Sequence, residues 1–381
     1  MIGMELVSSI KYYVLSINNA KPFKIFLLLT ICYLILNCIF VAQNTWAASY
    51  KLVKIIEFIF LGMIVIKLKP RLRTVLFFLS IGVIYSSLIA ILEFIFQKSI
   101  GGILWWLGER TFYAGTPGIA LTSIRGRLFL RPYTIFPHPN VFGGYLSIIL
   151  PLIFYLLATF KNKKKDFLFL FFFVSFVFGL WGLILSFSKA AWTVAVFGFT
   201  LVILVKSREK KILRLIKIFY KKNLFLIAFY LLFLFSLVFP LILAKTGVVG
   251  QTSVLERASL IQGAMKSISS YPLFGLGLNN SIIQQWLFLP TISELYVFQP
   301  VHNIFLLIWS ELGLVGFLIF VTFLSIALIK SQKQTMVTIA IVSLMVLGFF
   351  DHYLFTLQQG QLLFTLLVSL GMYKRYNEKQ I

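Results

Sequence analysis

The sequence predicts an all-α fold: a polytopic transmembrane helical bundle of about ten spans (ten to twelve), with a large extracytoplasmic loop containing short helices. Three observations carry this. The 381 residues are 60% hydrophobic, with a mean hydropathy of +0.96. Only 12% are charged, where a soluble domain carries about 25%. The apolar runs approach the roughly 20 residues that a helix needs to cross hydrocarbon. A run such as FLFLFFFVSFVFGLWGLIL at 167–185 does not alternate, which excludes barrel strands. Unpaired backbone groups are too costly in lipid for any spanning form other than the helix.

The expected spans are 25–42, 51–66, 74–96, 140–160, 167–186, 190–205, 224–244, 302–329, 335–350 and 359–373. Lys51, Lys54 and Glu57 interrupt the start of the second. Ten spans put both termini in the cytoplasm. Of the 35 Lys and Arg residues, 24 then fall in the inside segments, from Lys11–Lys24 to the tail at Lys374, Arg375 and Lys379. The net charge of +24 is therefore a positive-inside topology signal rather than a nucleic-acid surface. Cys32 and Cys38 are six apart and on different helix faces, which fits packing and gives neither a disulfide nor a metal site. The N-terminal apolar run lacks a small-residue cleavage site and is expected to stay as an anchor. No repeat or low-complexity linker divides the chain, so 1–381 is expected to form one integral-membrane domain.

Two long outer segments remain, 97–139 and 245–301, and all three histidines (His138, His302, His352) fall on or near that side. Loops longer than about 12–15 residues are usually functional or disordered. The second has signs of order. Ser253 and Glu256 match a capping box, and Val254, Ala258, Ile261, Met265 and Ile268 follow helical spacing. Pro272 ends that helix, Gly275 and Gly277 make a loop, and Ser281–Phe288 can form a short helix.

His302 opens the eighth span just after Pro300. A histidine there can act as a general base, its ordinary pKa being about 6.5, or can simply hydrogen-bond a loop carbonyl. Arg257 lies in the first turns of the capped helix, where a helix N-terminus and a planar guanidinium both favour phosphate. A plain surface charge is the other reading. Arg125, Arg127 and Arg131 form a second basic cluster, and no acid occurs between Glu109 and Asp166. A ligand or anionic lipid headgroups would both explain them. Lys189, in the SFSKAAW turn, can contact substrate or snorkel. Glu311 follows His302 by nine residues, half a helical turn out of phase and about 13 Å along the axis, so it cannot orient the imidazole. No close outer pair of acids, Cys/His cluster, P-loop or Rossmann glycine pattern appears in the sequence.

Four stretches together resemble the O-antigen ligase / O-antigen polymerase family of bacterial membrane glycosyltransferases. They are FPHPNVFGGYL (136–146), LSFSKAAW (185–192), RASLIQGAMKSISSYPLFGLGLNN (257–280) and HNIFLLIWSELGLVGFL (302–318), with LQQGQLLFTLLVSLG closing the series. The resemblance covers 125–371, with 245–301 as its extracytoplasmic loop. It implies an undecaprenyl-pyrophosphate-linked glycan donor, a lipid A core or growing glycan as acceptor, and neither nucleotide nor metal. It places the chain in the bacterial cytoplasmic membrane with the active site facing the periplasm or cell exterior. By motif position His302 and Arg257 take the catalytic places, and Lys189, Arg125, Arg127, Arg131, His138, Asn140 and Asn303 are the implied substrate-binding residues. The family's turn usually reads S-R-G-A-W; here it is Ser188–Lys189–Ala190–Ala191–Trp192, and lysine loses bidentate binding. The implied chemistry is a metal-independent, inverting glycosyl transfer. Two rivals are a transporter or flippase of lipid-linked glycan or a small anion, which needs charges at mid-membrane, and an envelope-assembly scaffold.

Overall fold

Helices form where the apolar runs lie, because only an internally bonded backbone tolerates hydrocarbon. The computed structural model describes residues 21–160, 167–207, 232, 234–236, 252–288 and 299–373. Three helices lead: α1 (Lys21–Phe40), α2 (Thr45–Leu68) and α3 (Leu72–Phe96). A four-residue helix α4 (Ile103–Trp106) and a hairpin, β1 (Leu121–Ile124) with β2 (Arg127–Leu130), fill the next segment. Then come α5 (Pro139–Leu157), α6 (Phe167–Leu185), α7 (Lys189–Lys206), α8 (Thr252–Ser270) and α9 (Ser281–Gln284), which runs into a 3-10 turn, Gln285–Leu287. The chain closes with α10 (Ile304–Ser331), α11 (Thr335–Gly348), α12 (Tyr353–Thr356) and α13 (Gln358–Met372).

Six of these helices are long and apolar enough to cross a membrane: α1, α3, α5, α6, α7 and α10. They mark an integral membrane protein. α2 is long but carries Lys51, Lys54 and Glu57. α11 and α13 have 14 and 15 residues; each rises only about 21–23 Å at 1.5 Å per residue, short of a bilayer core. The expected span at 224–244 lies outside the described residues except for four positions, as do most of the inside segments at 161–165 and 206–222.

α5 is the hub. Buried residues make up 78% of its apolar window, against 28% in both α6 and α7, so α5 sits inside and its neighbours face outward. Phe142, Leu146, Ile149, Leu150 and Ile153 on α5 are fully buried and join one core with α3, α6, α7 and α11.

The segment 97–139, expected only as a long outer stretch, carries a hairpin. Its turn residues Arg125 and Gly126 have φ of 51° and 82°, as a two-residue turn between twisted strands requires. Arginine in place of the usual Asn or Asp hides that turn in the sequence.

α10 is broken. Gly313, with φ 63° and ψ −171°, leaves helical geometry in mid-span. The loop after α8 repairs the lost bonds from the side. Leu276 N donates to Ser310 O and Gly277 N to Glu311 O, both at 2.9 Å, and Leu314 N donates to Pro272 O at 2.8 Å. Gly275 takes φ 70° against this break, and a Cβ there would lie 2.5 Å from the Glu311 carbonyl. Leu260, Ile261, Ala264 and Ile268 then bury α8 against Val301, Leu306 and Leu307. The expected helix thus forms, starting at Thr252 rather than at a Ser253 cap; residue 251 lies outside the described residues.

Candidate functional site

The site gathers at one end of the bundle, where several helices start or stop. Asn303 caps α10, its Oδ1 accepting from Phe305 N at 3.0 Å and Leu306 N at 3.1 Å. That cap fixes His302 just ahead of the helix. Asp351 sits in the turn after α11, where its N–H donates to Leu347 O at 3.1 Å and its Oδ1 accepts from His352 N at 2.8 Å.

These two turns bring His302 Nδ1 to 3.4 Å from Asp351 Oδ1, an ion-pair distance. Nδ1 is buried and lacks hydrogen-bond alignment, while the His302 side chain keeps 16% of its surface open. His352 approaches from the other side, its Nε2 4.0 Å from the same carboxylate oxygen and its ring centre 5.1 Å from that of His302. His352 Nδ1 faces Thr356 Oγ1 at 2.7 Å. The second carboxylate oxygen accepts from Asn140 Nδ2 at 3.4 Å.

Arg131 completes the row. Its Nη2 donates to Asn140 Oδ1 at 2.7 Å and to Ser186 O at 2.9 Å, and its Nε donates to Ser186 O at 3.1 Å. Glu93 steadies this stretch from α3 by accepting from Tyr133 N at 2.8 Å and Thr134 N at 2.9 Å. His138 caps α5, its Nδ1 accepting from Asn140 N at 3.1 Å, which requires a lone pair there and the proton on Nε2.

The electrostatics follow from burial among several cations. Burial opposes charge on Asp351, but His302, His352 and Arg257 together outweigh it and hold the carboxyl well below the usual range. Burial, with Arg131 adding, lowers His138 to about 4. Burial also brings His352 down to about 4, against the pull of Asp351. Arg131 is lowered to about 10 by burial and remains a cation at neutral pH. The charge of Arg257, half-buried on α8, is felt at Arg131, His138, Asp351 and His352.

Among the residues singled out in the sequence, His302, Arg257, Arg131, His138 and Asn140 come together. Asn303 spends its carboxamide on the cap and on Ser236 Oγ, 2.9 Å away. Arg125 and Arg127 stay exposed at the hairpin tip. Lys189 is exposed in the first turn of α7, and its turn reaches the site through the Ser186 carbonyl. Asp351 and His352 were not among the sequence candidates. Their signal is an Asp-His pair in the short gap between two apolar runs, 49 residues after His302. Glu311, buried on α10, accepts from Asn279 N at 2.9 Å and Ser281 Oγ at 2.7 Å, well away from the imidazole. The sequence shows no metal-ligand cluster, yet the fold places one ligand atom each from His302, Asp351 and His352 within 4.8 Å of one another.

No curated protein matches the chain. The family model described as O-antigen ligase matches residues 174–321, which include Lys189, Arg257 and His302 and most of α6, α7, α8 and α10. Through that segment the chain is similar to the O-antigen ligase family.

Proposed function

We propose that this protein transfers a glycan from an undecaprenyl-pyrophosphate carrier to a hydroxyl of lipid A core or of a growing glycan, at the outer face of the bacterial cytoplasmic membrane. The match to the O-antigen ligase family model supports ligase-type glycosyl transfer with a lipid-linked glycan as the general kind of donor. The observation that carries the finer reading is the contact between His302 Nδ1 and Asp351 Oδ1, set among Arg131 and Arg257.

Asp351 is the positioning residue. An ionised carboxylate facing Nδ1 favours the tautomer with its proton there, which leaves the lone pair on Nε2. The 3.4 Å separation is long for a hydrogen bond, as is common before substrate tightens a site. His302 Nε2 then takes the proton of the acceptor hydroxyl. The acceptor oxygen bonds to the anomeric carbon as the bond from that carbon to the pyrophosphate oxygen breaks. The electron pair leaves with the pyrophosphate, and backside attack inverts the centre. A positioned base contributes about 10²–10⁴-fold.

Arg257 and Arg131 supply the cations for the departing charge. Asn140 links Arg131 to Asp351, and His138 offers an N–H from Nε2. Lys189, Arg125 and Arg127 lie farther out and meet the glycan or lipid phosphates, while Asn303 holds His302 in place. The pyrophosphate already leaves readily, so no metal is required.

In proteoliposomes supplied with lipid-linked glycan and a hydroxyl acceptor, His302→Ala and Arg257→Ala each abolish formation of the new glycosidic bond, with protein level and insertion unchanged. Undiminished transfer by His302→Ala removes the base. Movement of glycan between leaflets without a new covalent bond would favour the transporter reading instead.

A further inference from the structure

His302, Asp351 and His352 carry more than base chemistry requires. Two imidazole nitrogens face one carboxylate oxygen at 3.4 and 4.0 Å. In a tetrahedral site with bonds of about 2.0–2.1 Å, neighbouring ligand atoms lie roughly 3.3 Å apart. Modest ring rotations close the remaining gap, since the three ligand atoms are within 4.8 Å.

The surroundings resemble those of a built metal site. Metal-binding histidines usually have their other ring nitrogen hydrogen-bonded, which fixes the tautomer. His352 Nδ1 has Thr356 Oγ1 at 2.7 Å, so its Nε2 is left to face Asp351. Asn140 holds the outer carboxylate oxygen. His302 Nδ1 is buried without a hydrogen-bond partner and lies against the same carboxylate. Two imidazoles and one carboxylate suit late first-row cations such as Zn²⁺ better than Mg²⁺ or Ca²⁺. The nearby charges of Arg131 and Arg257 oppose a resident cation and favour a reversible one.

We propose that His302, Asp351 and His352 form a reversible inhibitory site for a Zn²⁺-type divalent cation. A neutral imidazole has one lone-pair nitrogen. A cation on Nδ1 of His302 takes that lone pair and puts the proton on Nε2, which can no longer accept one from the acceptor hydroxyl. The inhibition rests on the reading of His302 as base; cation binding does not.

The test uses the tag-free full chain in detergent, titrated with Co²⁺ and then Zn²⁺, alongside the transfer assay. The expected result is one Co²⁺ per chain, with visible absorption bands of four-coordinate type that Zn²⁺ removes. His352→Gln, which keeps a polar partner for Thr356, weakens binding more than about tenfold, on the scale of lost metal-site interactions. Zn²⁺ lowers wild-type transfer and EDTA restores it, while whatever transfer His352→Gln supports is not lowered further by the same Zn²⁺. Absence of stoichiometric binding, binding or inhibition unchanged by His352→Gln, or transfer that EDTA lowers would each overturn the proposal. Full transfer by His302→Ala, beside stoichiometric Co²⁺ binding by the unaltered chain that His352→Gln weakens, would overturn the inhibition and leave the site standing, so failure of the base reading is distinguishable from failure of the metal site.

Discussion

Two buried carboxylates on this chain lead different lives. Glu311 and Asp351 are each only 4% exposed. Glu311 is absorbed by structure: its two oxygens hold Asn279 N and Ser281 Oγ and tie the loop after α8 to α10. Asp351 also receives a backbone N–H, but it faces two imidazoles and an asparagine that leads to an arginine. Burial alone therefore does not mark a functional acid. What marks one is a partner that can itself change protonation or meet a ligand.

Substitutions sharpen or break this contrast. The largest effect is expected from Asp351→Asn, which keeps the shape but loses control of the His302 tautomer; transfer should fall by on the order of 10³–10⁴ with the thermal midpoint nearly unchanged. Arg131→Ala comes next, with a loss of about 10²–10³ in turnover, the size seen when one donor to developing negative charge is removed. Glu311→Ala should act on stability instead. It strands half-buried donors at Asn279 and Ser281, a cost of roughly 1–3 kcal/mol, visible as a lower unfolding temperature in detergent. Turnover per folded molecule should hold. If it fell as far as in Asp351→Asn, the distinction between the two acids would be lost. Lys189→Arg is expected to be the smallest, shifting stability by no more than about 0.5 kcal/mol as an exposed surface change does, with donor KM and turnover close to those of the unaltered chain.

Much of the architecture was legible because lipid permits so few solutions. The all-helical bundle follows from apolar run length, and α8, the Pro272 stop and the short helix at 281 follow from local spacing and turn residues. His302 and Arg257 stood out through the motifs around them. Asp351 did not, since nothing local ties it to a residue 49 positions earlier; the pairing exists only once α10 and α11 pack. Arg125 and Arg127 look equivalent to Arg131 along the sequence, but the hairpin turn separates them, leaving two at the tip and delivering the third to Ser186 and Asn140. α11 and α13 form within two residues of the bounds drawn from hydropathy, and both were already short there.

The interruption at Gly313 has a mechanical consequence. A continuous rod would transmit any tilt of its lower half to the imidazole at its head. Here the rod is jointed, and the strap 272–277 grips the joint on both sides, from Ser310 to Leu314. Because the strap follows directly on α8 and bonds to both sides of the break, it ties the segment headed by His302 to the helix that carries Arg257, and the two side chains share one scaffold.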